Sequence, residues 1–372
     1  MTAQFPVFLY GTLCDPELLE IVAGEVVEQT PATFADHRVF WAKDQSFPIV
    51  TKGSDKPAHG LLISVSAAAK ARLDFYEIGF GYYLHACSVN AASTAHPAEI
   101  YLPEDGRWTA GAPWSLSDWQ QEYGTLAREA ARDYMRLFGL KAPQEAAALF
   151  GQVRGRAASR LRARHQPSPM AFQPAQTRAN VTTHTSNRPL QDFFDVVEET
   201  LQFQTFAGSP SAKVQRISLI GGDAVTVLPY DPANDTVLVI RQFRHGAFSR
   251  GDENPWCVEP AAGRIDPFET PEEAALRELR EETGVIARDL HRIASYYPTP
   301  AAVSEHLTSY VATCDLGGAD GRIGGLSGEN EDIMSHVIPF NSLMEMVHSG
   351  AANTGPLVMS ALWLQNERHR LR

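Results

Sequence analysis

The sequence predicts an α+β protein made of two domains. At 372 residues the chain is about twice the usual domain length, so each half can bury its own core. Apolar, strand-like segments occur in both halves, at residues 7–10, 60–65 and 236–240. Residues 117–138 carry apolar side chains at helical spacing, and Gly139 is placed to end that helix. Strands and helices in the same chain indicate the α+β class.

The composition changes between residues 141 and 189, and this change predicts a linker. One acid, Glu145, stands there against these basic side chains: Lys141, Arg154, Arg156, Arg160, Arg162, Arg164, Arg178 and Arg188. Prolines at positions 167, 169 and 174 interrupt regular structure. We therefore expect a first domain over residues 1–140, a basic linker over residues 141–189 and a second domain over residues 190–372.

Charge and cysteine content indicate the class of partner and the compartment. The formal net charge of -12 would repel phosphate backbones, which argues against nucleic acid or an anionic membrane as a partner. The four cysteines show no C-x-x-C spacing, as is typical of reduced thiols in the cytoplasm. The first residues lack the pattern of a signal peptide, and no apolar run approaches spanning length. We expect a soluble, cytoplasmic protein with a small-molecule partner.

An acidic helix is predicted after residue 270. Thr270 is a favourable N-cap, Pro271 suits the first helical position, and Glu273 completes a capping box. Gly284 suits the position just past the last turn, where a left-handed backbone ends many helices. The sequence therefore predicts a helix of just over three turns between these caps.

Three carboxylates share one face of this helix. Glu278, Glu281 and Glu282 lie at positions i, i+3 and i+4, which brings them within reach of a common point. Their mutual repulsion is offset if hard divalent cations bind there, most naturally Mg²⁺, with Mn²⁺ as an alternative. The competing interpretation is a solvated acidic face, which predicts no fixed spacing in the surrounding residues.

The spacing around these carboxylates resembles the Nudix signature G-x5-E-x7-R-E-U-x-E-E-x-G-U, where U is a bulky aliphatic residue. The matching positions are Gly263, Glu269, Arg277, Glu278, Leu279, Glu281, Glu282, Gly284 and Val285. The resemblance implies an α/β/α sandwich and hydrolysis of nucleoside diphosphates linked to another group. It also implies a pyrophosphohydrolase that depends on the cation.

The same resemblance assigns roles to the residues of the signature. Glu278 and Glu282 would bind the cation together with the carbonyl oxygen of Ala262, and Glu281 would assist catalysis. Arg277 would pair with Glu269 to fix the loop before the helix. Gly263 and Gly284 would be structural members of the motif.

Features outside the signature resemble bacterial ADP-ribose pyrophosphatases. They are Pro300, the run of residues 259–263 and the acidic loop of residues 326–333. By this resemblance Glu331 would be the general base that activates water, and Glu329 would take part in metal binding. The reaction would convert ADP-ribose and water into AMP and ribose 5-phosphate.

The subfamily resemblance also implies a substrate contact and an assembly. Arg244 stands where the subfamily has an arginine near the adenosine half, and Glu259 begins the run that leads into the signature. We expect both to bind substrate, and we expect a homodimer formed through the second domain, with residues 190–220 exchanged. Two alternatives remain open: another nucleoside diphosphate sugar or a dinucleotide as substrate, or a protein that binds a nucleotide without cleaving it.

The first domain carries its own candidate site. Residues 7–13 form a strand that enters a glycine turn, and Glu77 lies among aromatic residues that would raise its pKa. With Phe47-Pro48, these segments resemble the γ-glutamylcyclotransferase-like (AIG2-like) family, a small β-barrel with flanking helices.

In that family the turn binds the γ-glutamyl carboxylate, and the glutamate is the acid/base in cyclisation to 5-oxoproline. The matching residues are Tyr10, Gly11, Thr12, Leu13 and Glu77. One departure is Ile78, which follows the glutamate where relatives often have glycine. An active cyclotransferase and a structural or sensing module both remain open. The domain order resembles that of Nudix proteins associated with tellurite resistance.

Overall fold

The computed structural model describes residues 4–53, 56–165, 176–325 and 331–371. The chain divides into two compact units, the first ending at His165 and the second starting at Gln166. In the described residues no helix is long and apolar enough to cross a membrane. The described cysteines, Cys14, Cys87, Cys257 and Cys314, are all free.

The first unit is a small barrel with helices packed around it. Its strands are β1 (Phe5–Leu9), β2 (Gln29–Phe34), β3 (His37–Ala42), β4 (Pro48–Lys52), β5 (Ala58–Val65), β6 (Tyr82–Ala91), β7 (Thr94–Pro103) and β8 (Ala110–Pro113). Its helices are α1 (Pro16–Ala23), α2 (Ala67–Ile78), α3 (Leu116–Trp119), α4 (Thr125–Tyr134), α5 (Pro143–Ala148) and α6 (Phe150–His165). The closed barrel has the order β1-β5-β2-β6-β7, and β4-β3-β8 form a separate sheet. The predicted barrel with flanking helices is confirmed.

Residues 143–165 form two helices where a linker is expected. Val153 and Ala157 of α6 are buried in the core of the first unit. Arg160 and Arg164 are bound by Glu129 of α4, at 2.8 and 3.1 Å. These two arginines of α6 are therefore neutralised by an acid that lies earlier in the sequence, outside the basic run. The first unit extends to residue 165 instead of residue 140.

The second unit begins with regular structure inside the expected linker. Its strands are β9 (Val181–Gln191), β10 (Asp195–Phe203), β11 (Val214–Ile220), β12 (Ala224–Asp231), β13 (Thr236–Phe243), β14 (Trp256–Glu259), β15 (Ala261–Arg264), β16 (Ala287–Tyr296), β17 (Leu307–Cys314), β18 (Ile323–Gly324) and β19 (Ile333–Pro339). Its helices are α7 (His245–Arg250), α8 (Pro271–Thr283), α9 (Phe340–Ser349) and α10 (Gly355–Glu367). Strand β9 starts at Val181 because it pairs with β10, which also pairs with β11.

The large sheet of the second unit has helices on both faces. Its order is β16-β17-β12-β13-β19-β18, with β14 paired to β13 and β15 paired to β12. Successive side chains of a strand point to opposite faces. Val225 and Val227 accordingly pack in the cluster that contains Leu279 of α8. Leu228 packs in the cluster that contains Leu343 of α9. This arrangement confirms the predicted α/β/α sandwich.

Candidate active site

Helix α8 begins and ends at the expected caps. The Thr270 side chain accepts a hydrogen bond from the Glu273 backbone N–H at 3.2 Å, and Glu273 accepts one from the Thr270 backbone N–H at 2.9 Å. Gly284 has a φ of 70°, the left-handed conformation that ends the helix. These local contacts fix which residues face β15.

Arg277 connects the acidic helix to the strand and loop before it. Its guanidinium donates to both carboxylate oxygens of Glu269 at 2.9 Å and to the carbonyl oxygen of Arg264 at 2.9 Å. It also donates to Glu278 at 2.7 Å and to Glu281 at 3.1 Å. Bidentate pairs of this kind are among the stronger hydrogen bonds of proteins. Arg277 therefore sets the position of the loop relative to the carboxylates.

Burial disfavours the charged form of two carboxyl groups on α8, those of Glu278 and Glu282. Glu282 is 1% exposed and accepts a hydrogen bond from the Ala262 backbone N–H at 2.9 Å. Burial raises the pKa of Glu278 to about 7 and the pKa of Glu282 to about 8. The charge of Glu331 raises both pKa values further, so Glu331 faces the same cluster. The structure thus brings these expected carboxylates together.

This donor set fits a hard divalent cation. Buried carboxylates that raise each other's pKa gain from a cation, and oxygen ligands are those that Mg²⁺ prefers. Within the described ranges, no group of three or more His, Cys, Asp or Glu side chains is already arranged around a common metal position. Three hydrogen bonds occupy these carboxylates: Arg277 donates to Glu278 and to Glu281, and the Ala262 N–H donates to Glu282. The expected ligand Glu329 lies outside the described residues.

Glycines allow the backbone to approach the carboxylates closely. A Cβ on Gly263 would overlap the Glu278 carboxylate, and a Cβ on Gly324 would overlap the Glu282 carbonyl oxygen. Gly325 has a φ of 97°, and a Cβ there would lie 2.7 Å from the Cβ of Glu331. Sequence reasoning identified Gly263 but missed the other two. Their signal is the Gly-Gly pair that stands just before the acidic loop.

Arg244 and Glu259 bind each other. The Arg244 side chain donates to Glu259 at 2.6 Å, with 39% and 17% of the two side chains exposed. Arg244 is the N-cap residue of α7, and β14 brings Glu259 opposite Ile240 of the neighbouring strand. The charge of Arg244 acts to lower the pKa of Glu282, so this pair lies at the edge of the acidic cluster.

Sequence reasoning missed two charged residues nearby. Burial raises the pKa of Glu305, and the charges of Arg264 and Arg244 oppose that rise. Burial lowers the pKa of Arg264, and Glu305 opposes that change. Both residues therefore lie in a partly closed region that also includes Arg244. Neither has a sequence signal beyond the closeness of Arg264 to Gly263.

The glycine turn of the first unit is built as a compact loop. The buried Tyr10 donates a hydrogen bond from its hydroxyl to the Tyr101 carbonyl oxygen at 3.0 Å. A Cβ on Gly11 would lie 2.9 Å from Pro48, so the loop passes closely over that proline. Thr12 begins a single helical turn, and Leu13 packs in the core at 3% exposure. The Leu13 side chain therefore supports the loop from inside.

Glu77 lies in the last turn of α2 among tyrosines. Burial raises its pKa to about 7, although part of the residue remains accessible. Its charge raises the pKa of these phenols: Tyr10, Tyr76, Tyr82, Tyr101 and Tyr134. The structure therefore brings Glu77 and Tyr10 together. Burial around a partly accessible carboxyl is typical of the base of a pocket.

Two buried hydroxyls on phenols that the charge of this glutamate reaches, those of Tyr82 and Tyr134, have no hydrogen-bond partner among the residues described. The same is true of the indole nitrogen of Trp108, which packs against Phe47. A Cβ on Gly79 would lie 2.7 Å from the Tyr134 hydroxyl and 2.6 Å from the Pro143 carbonyl oxygen. The glycine that follows the glutamate is thus displaced by one position, past Ile78. Unsatisfied buried donors of this kind suit a polar ligand.

The overlap at Gly263 gives the first prediction. Gly263→Ala should displace the Glu278 carboxylate and weaken binding of Mn²⁺ to the full-length protein at least tenfold, because a second-sphere change typically weakens metal binding by about 10- to 100-fold. Calorimetric titration with Mn²⁺ measures this. Gly355→Ala, at a position with open space around it, is the matched control and should bind Mn²⁺ as the wild type does. Unchanged binding by Gly263→Ala would contradict the placement of Glu278.

Comparisons with known proteins match two families to separate parts of the chain. The family model described as NUDIX domain matches residues 222–357, and the model described as Gamma-glutamyl cyclotransferase, AIG2-like, matches residues 7–121. An ADP-ribose pyrophosphatase of Haemophilus influenzae is 34% identical over 177 residues, which cover 47% of this chain and 81% of that protein.

A GDP-mannose pyrophosphatase of Pectobacterium atrosepticum is 33% identical over 138 residues, which cover 37% of this chain and 70% of that protein. A solved structure described as an ADP compounds hydrolase is 22% identical, covers 52% of this chain and 98% of its own, and has a TM-score of 0.39. The family match, the identity over most of a curated relative and the acidic cluster on α8 agree. The chain belongs to the Nudix family through its second unit, and residues 7–121 of its first unit match the AIG2-like γ-glutamyl cyclotransferase model.

Proposed function

We propose that the second unit hydrolyses ADP-ribose to AMP and ribose 5-phosphate in a reaction that requires Mg²⁺. The observation that carries this proposal is the partly buried cluster of Glu278, Glu282 and Glu331, whose charges act on one another beside a loop that Arg277 fixes. The similarity to an ADP-ribose pyrophosphatase and to a GDP-mannose pyrophosphatase supports the broader class, a nucleoside diphosphate sugar pyrophosphohydrolase.

The cation would be held by Glu278, Glu282, Glu329 and the carbonyl oxygen of Ala262. When bound, Mg²⁺ or Mn²⁺ neutralises charge on pyrophosphate oxygens and favours attack by water. The protein's own residues would position the loop and accept the proton. Arg277 keeps the loop at Glu269 in place, and Glu331 accepts the proton that the attacking water releases.

Residues at the edge of the acidic cluster would bind the substrate. We assign Arg244 and Glu259 to this role as a pair, because their ion pair at 2.6 Å holds the guanidinium at the end of β13. Glu281 assists from the same face of α8, where Arg277 binds it at 3.1 Å. An arginine held by a carboxylate keeps its remaining N–H donors directed, which lowers the entropy lost when a ligand binds.

A homodimer is part of the proposal. The sheet β9 to β11 and its connections expose large apolar side chains: Leu190, Phe193, Phe194, Phe203, Phe206 and Ile217. Exposed apolar groups that cluster on one element are typical of an interaction surface. We assign this sheet to contact with a second copy of the second unit.

A second function is favoured for the first unit. Glu77 has a pKa of about 7, and the hydroxyls of Tyr82 and Tyr134 near it have no partner among the described residues. These features support a γ-glutamylcyclotransferase activity. The substrate's α-amine would attack its own γ-carbonyl, Glu77 would accept the proton from that amine, and the same proton would pass to the departing amine. The products are 5-oxoproline and the released amine.

The main proposal predicts metal-dependent turnover of ADP-ribose by the full-length chain. Product analysis should show AMP and ribose 5-phosphate in equal amounts with Mg²⁺, and Glu282→Gln should lower kcat/KM at least 100-fold, because it removes a charge from the cation site. Glu345→Gln, on the exposed face of α9, is the control and should leave kcat/KM unchanged. Full activity of Glu282→Gln would rule out the metal assignment.

The substrate assignment is tested separately with the same protein. ADP-ribose should be hydrolysed with a higher kcat/KM than GDP-mannose or a dinucleotide cofactor. Faster cleavage of another nucleotide would change the assigned substrate, and the protein would still be a pyrophosphohydrolase. Tight nucleotide binding without release of AMP would instead support a sensing protein.

The second proposal predicts formation of 5-oxoproline from γ-glutamyl compounds. Because the pKa of Glu77 is raised to about 7, its carboxylate form, which accepts the proton, increases as the pH rises through 7. The rate should therefore rise between about pH 6 and pH 8. Glu77→Gln should abolish it, whereas Glu20→Gln, on the exposed side of α1, should not. Absence of 5-oxoproline with the wild type would favour a structural or sensing module.

A further inference from the structure

Arg264 occupies a fixed position next to the acidic cluster. It ends strand β15, directly after Gly263, and its carbonyl oxygen accepts a hydrogen bond from Arg277 at 2.9 Å. The next residue, Ile265, is buried at 4% exposure. The backbone of Arg264 is therefore held on both sides, and its side chain starts from a well-defined point.

The side chain is placed by aromatic rings. Its guanidinium carbon lies 5.4 Å from the ring centre of Phe193 and 5.5 Å from that of Phe194. On another side, one guanidinium nitrogen would lie 3.6 Å from a Cβ on Gly221. A cation over aromatic rings is attracted to their faces and becomes fixed in orientation. The guanidinium is thus held by contacts with ring faces, which leave its N–H groups available for hydrogen bonds.

These N–H groups have no hydrogen-bond or ion-pair partner in the part of the chain that the structure describes. The neighbouring arginines differ, since Arg277 is bound by Glu269 and Arg244 by Glu259. Arg264 is partly buried, and a guanidinium carries five donors in a planar fork. Its donors can therefore pair with acceptor oxygens of an incoming ligand.

The surroundings connect Arg264 with the cluster on α8. Glu305 acts on Arg264 through its charge, and its Cβ would lie 3.9 Å from a Cβ on Gly221. Arg244 acts on both Glu305 and Glu282. One region of the second unit therefore contains four charged side chains that act on one another in sequence: Arg264 on Glu305, and Arg244 on both Glu305 and Glu282.

We propose that Arg264 binds phosphoryl oxygens of the substrate, with Phe193 and Phe194 holding its guanidinium in place. The planar fork matches two oxygens of one phosphate, which a lysine ammonium cannot do. The ligand class is a phosphate group of a nucleoside diphosphate or of its products. This inference rests on the proposed function of the second unit, because it gives that site a substrate-binding residue.

The test measures binding of products, which requires no turnover. The full-length protein with Mg²⁺ is titrated with AMP, ribose 5-phosphate and adenosine, and affinities are read by ligand-observed NMR. Arg264→Met should weaken binding of AMP, of ribose 5-phosphate or of both at least tenfold. Arg264→Lys, which keeps the charge and loses the fork, should fall in between. The affinity for adenosine should stay the same, because it has no phosphate.

Controls keep the outcome decisive. Arg370→Met removes an arginine that is 70% exposed and should leave all three affinities unchanged. Thermal unfolding of each variant checks the fold, and Arg264→Lys serves if Arg264→Met unfolds. Unchanged affinities for both phosphates would overturn the inference. An equal loss for adenosine and AMP would also overturn it, since the residue would then act on the base.

The result also separates this inference from the proposed function. Loss of phosphate affinity in a protein that does not hydrolyse ADP-ribose would keep Arg264 as a binding residue and remove the proposed reaction. Hydrolysis of ADP-ribose by the wild type, with unchanged product affinities in Arg264→Met, would keep the proposed reaction and remove Arg264 as a binding residue.

Discussion

The hydrogen bonds of Arg277 hold the candidate site of the second unit together. One guanidinium binds Glu269 in the loop, the Arg264 carbonyl at the end of β15, and Glu278 and Glu281 on the acidic face of α8. A planar, always charged group is suited to joining acceptors from different elements. The loop, the strand and the helix are therefore positioned relative to each other by one side chain. The close approach at Gly263 depends on that positioning.

The buried carboxyl groups of the two units have different charges around them. In the second unit the hydrogen bond from the Ala262 N–H and the charge of Arg244 oppose the effect of burial on Glu282, yet burial still raises its pKa to about 8. In the first unit burial raises the pKa of Glu77, which lies among phenols, to about 7. A cluster of mutually repelling anions suits a cation, whereas a single carboxyl near pH 7 suits proton transfer. The two sites thus fit different chemistry.

Sequence reasoning succeeded where the deciding contacts are local. The caps at Thr270 and Gly284 and the shared face of the α8 carboxylates follow from residue type and helical spacing. It failed where partners are distant in sequence. The arginines of α6 suggested a linker because their acid, Glu129, lies on another helix. Nothing local shows that Gly324 touches the carbonyl of Glu282. The barrel itself was predicted only through the family resemblance.

The central claim is that the acidic face of α8 binds divalent cations at Glu278 and Glu282. The most direct measurement is crystallography of the full-length protein with Mn²⁺, with anomalous differences recorded at the manganese absorption edge. The account predicts anomalous peaks in contact with the carboxylates of both residues, and their loss in Glu282→Gln. Well-ordered carboxylates with manganese bound only elsewhere on the protein would contradict it.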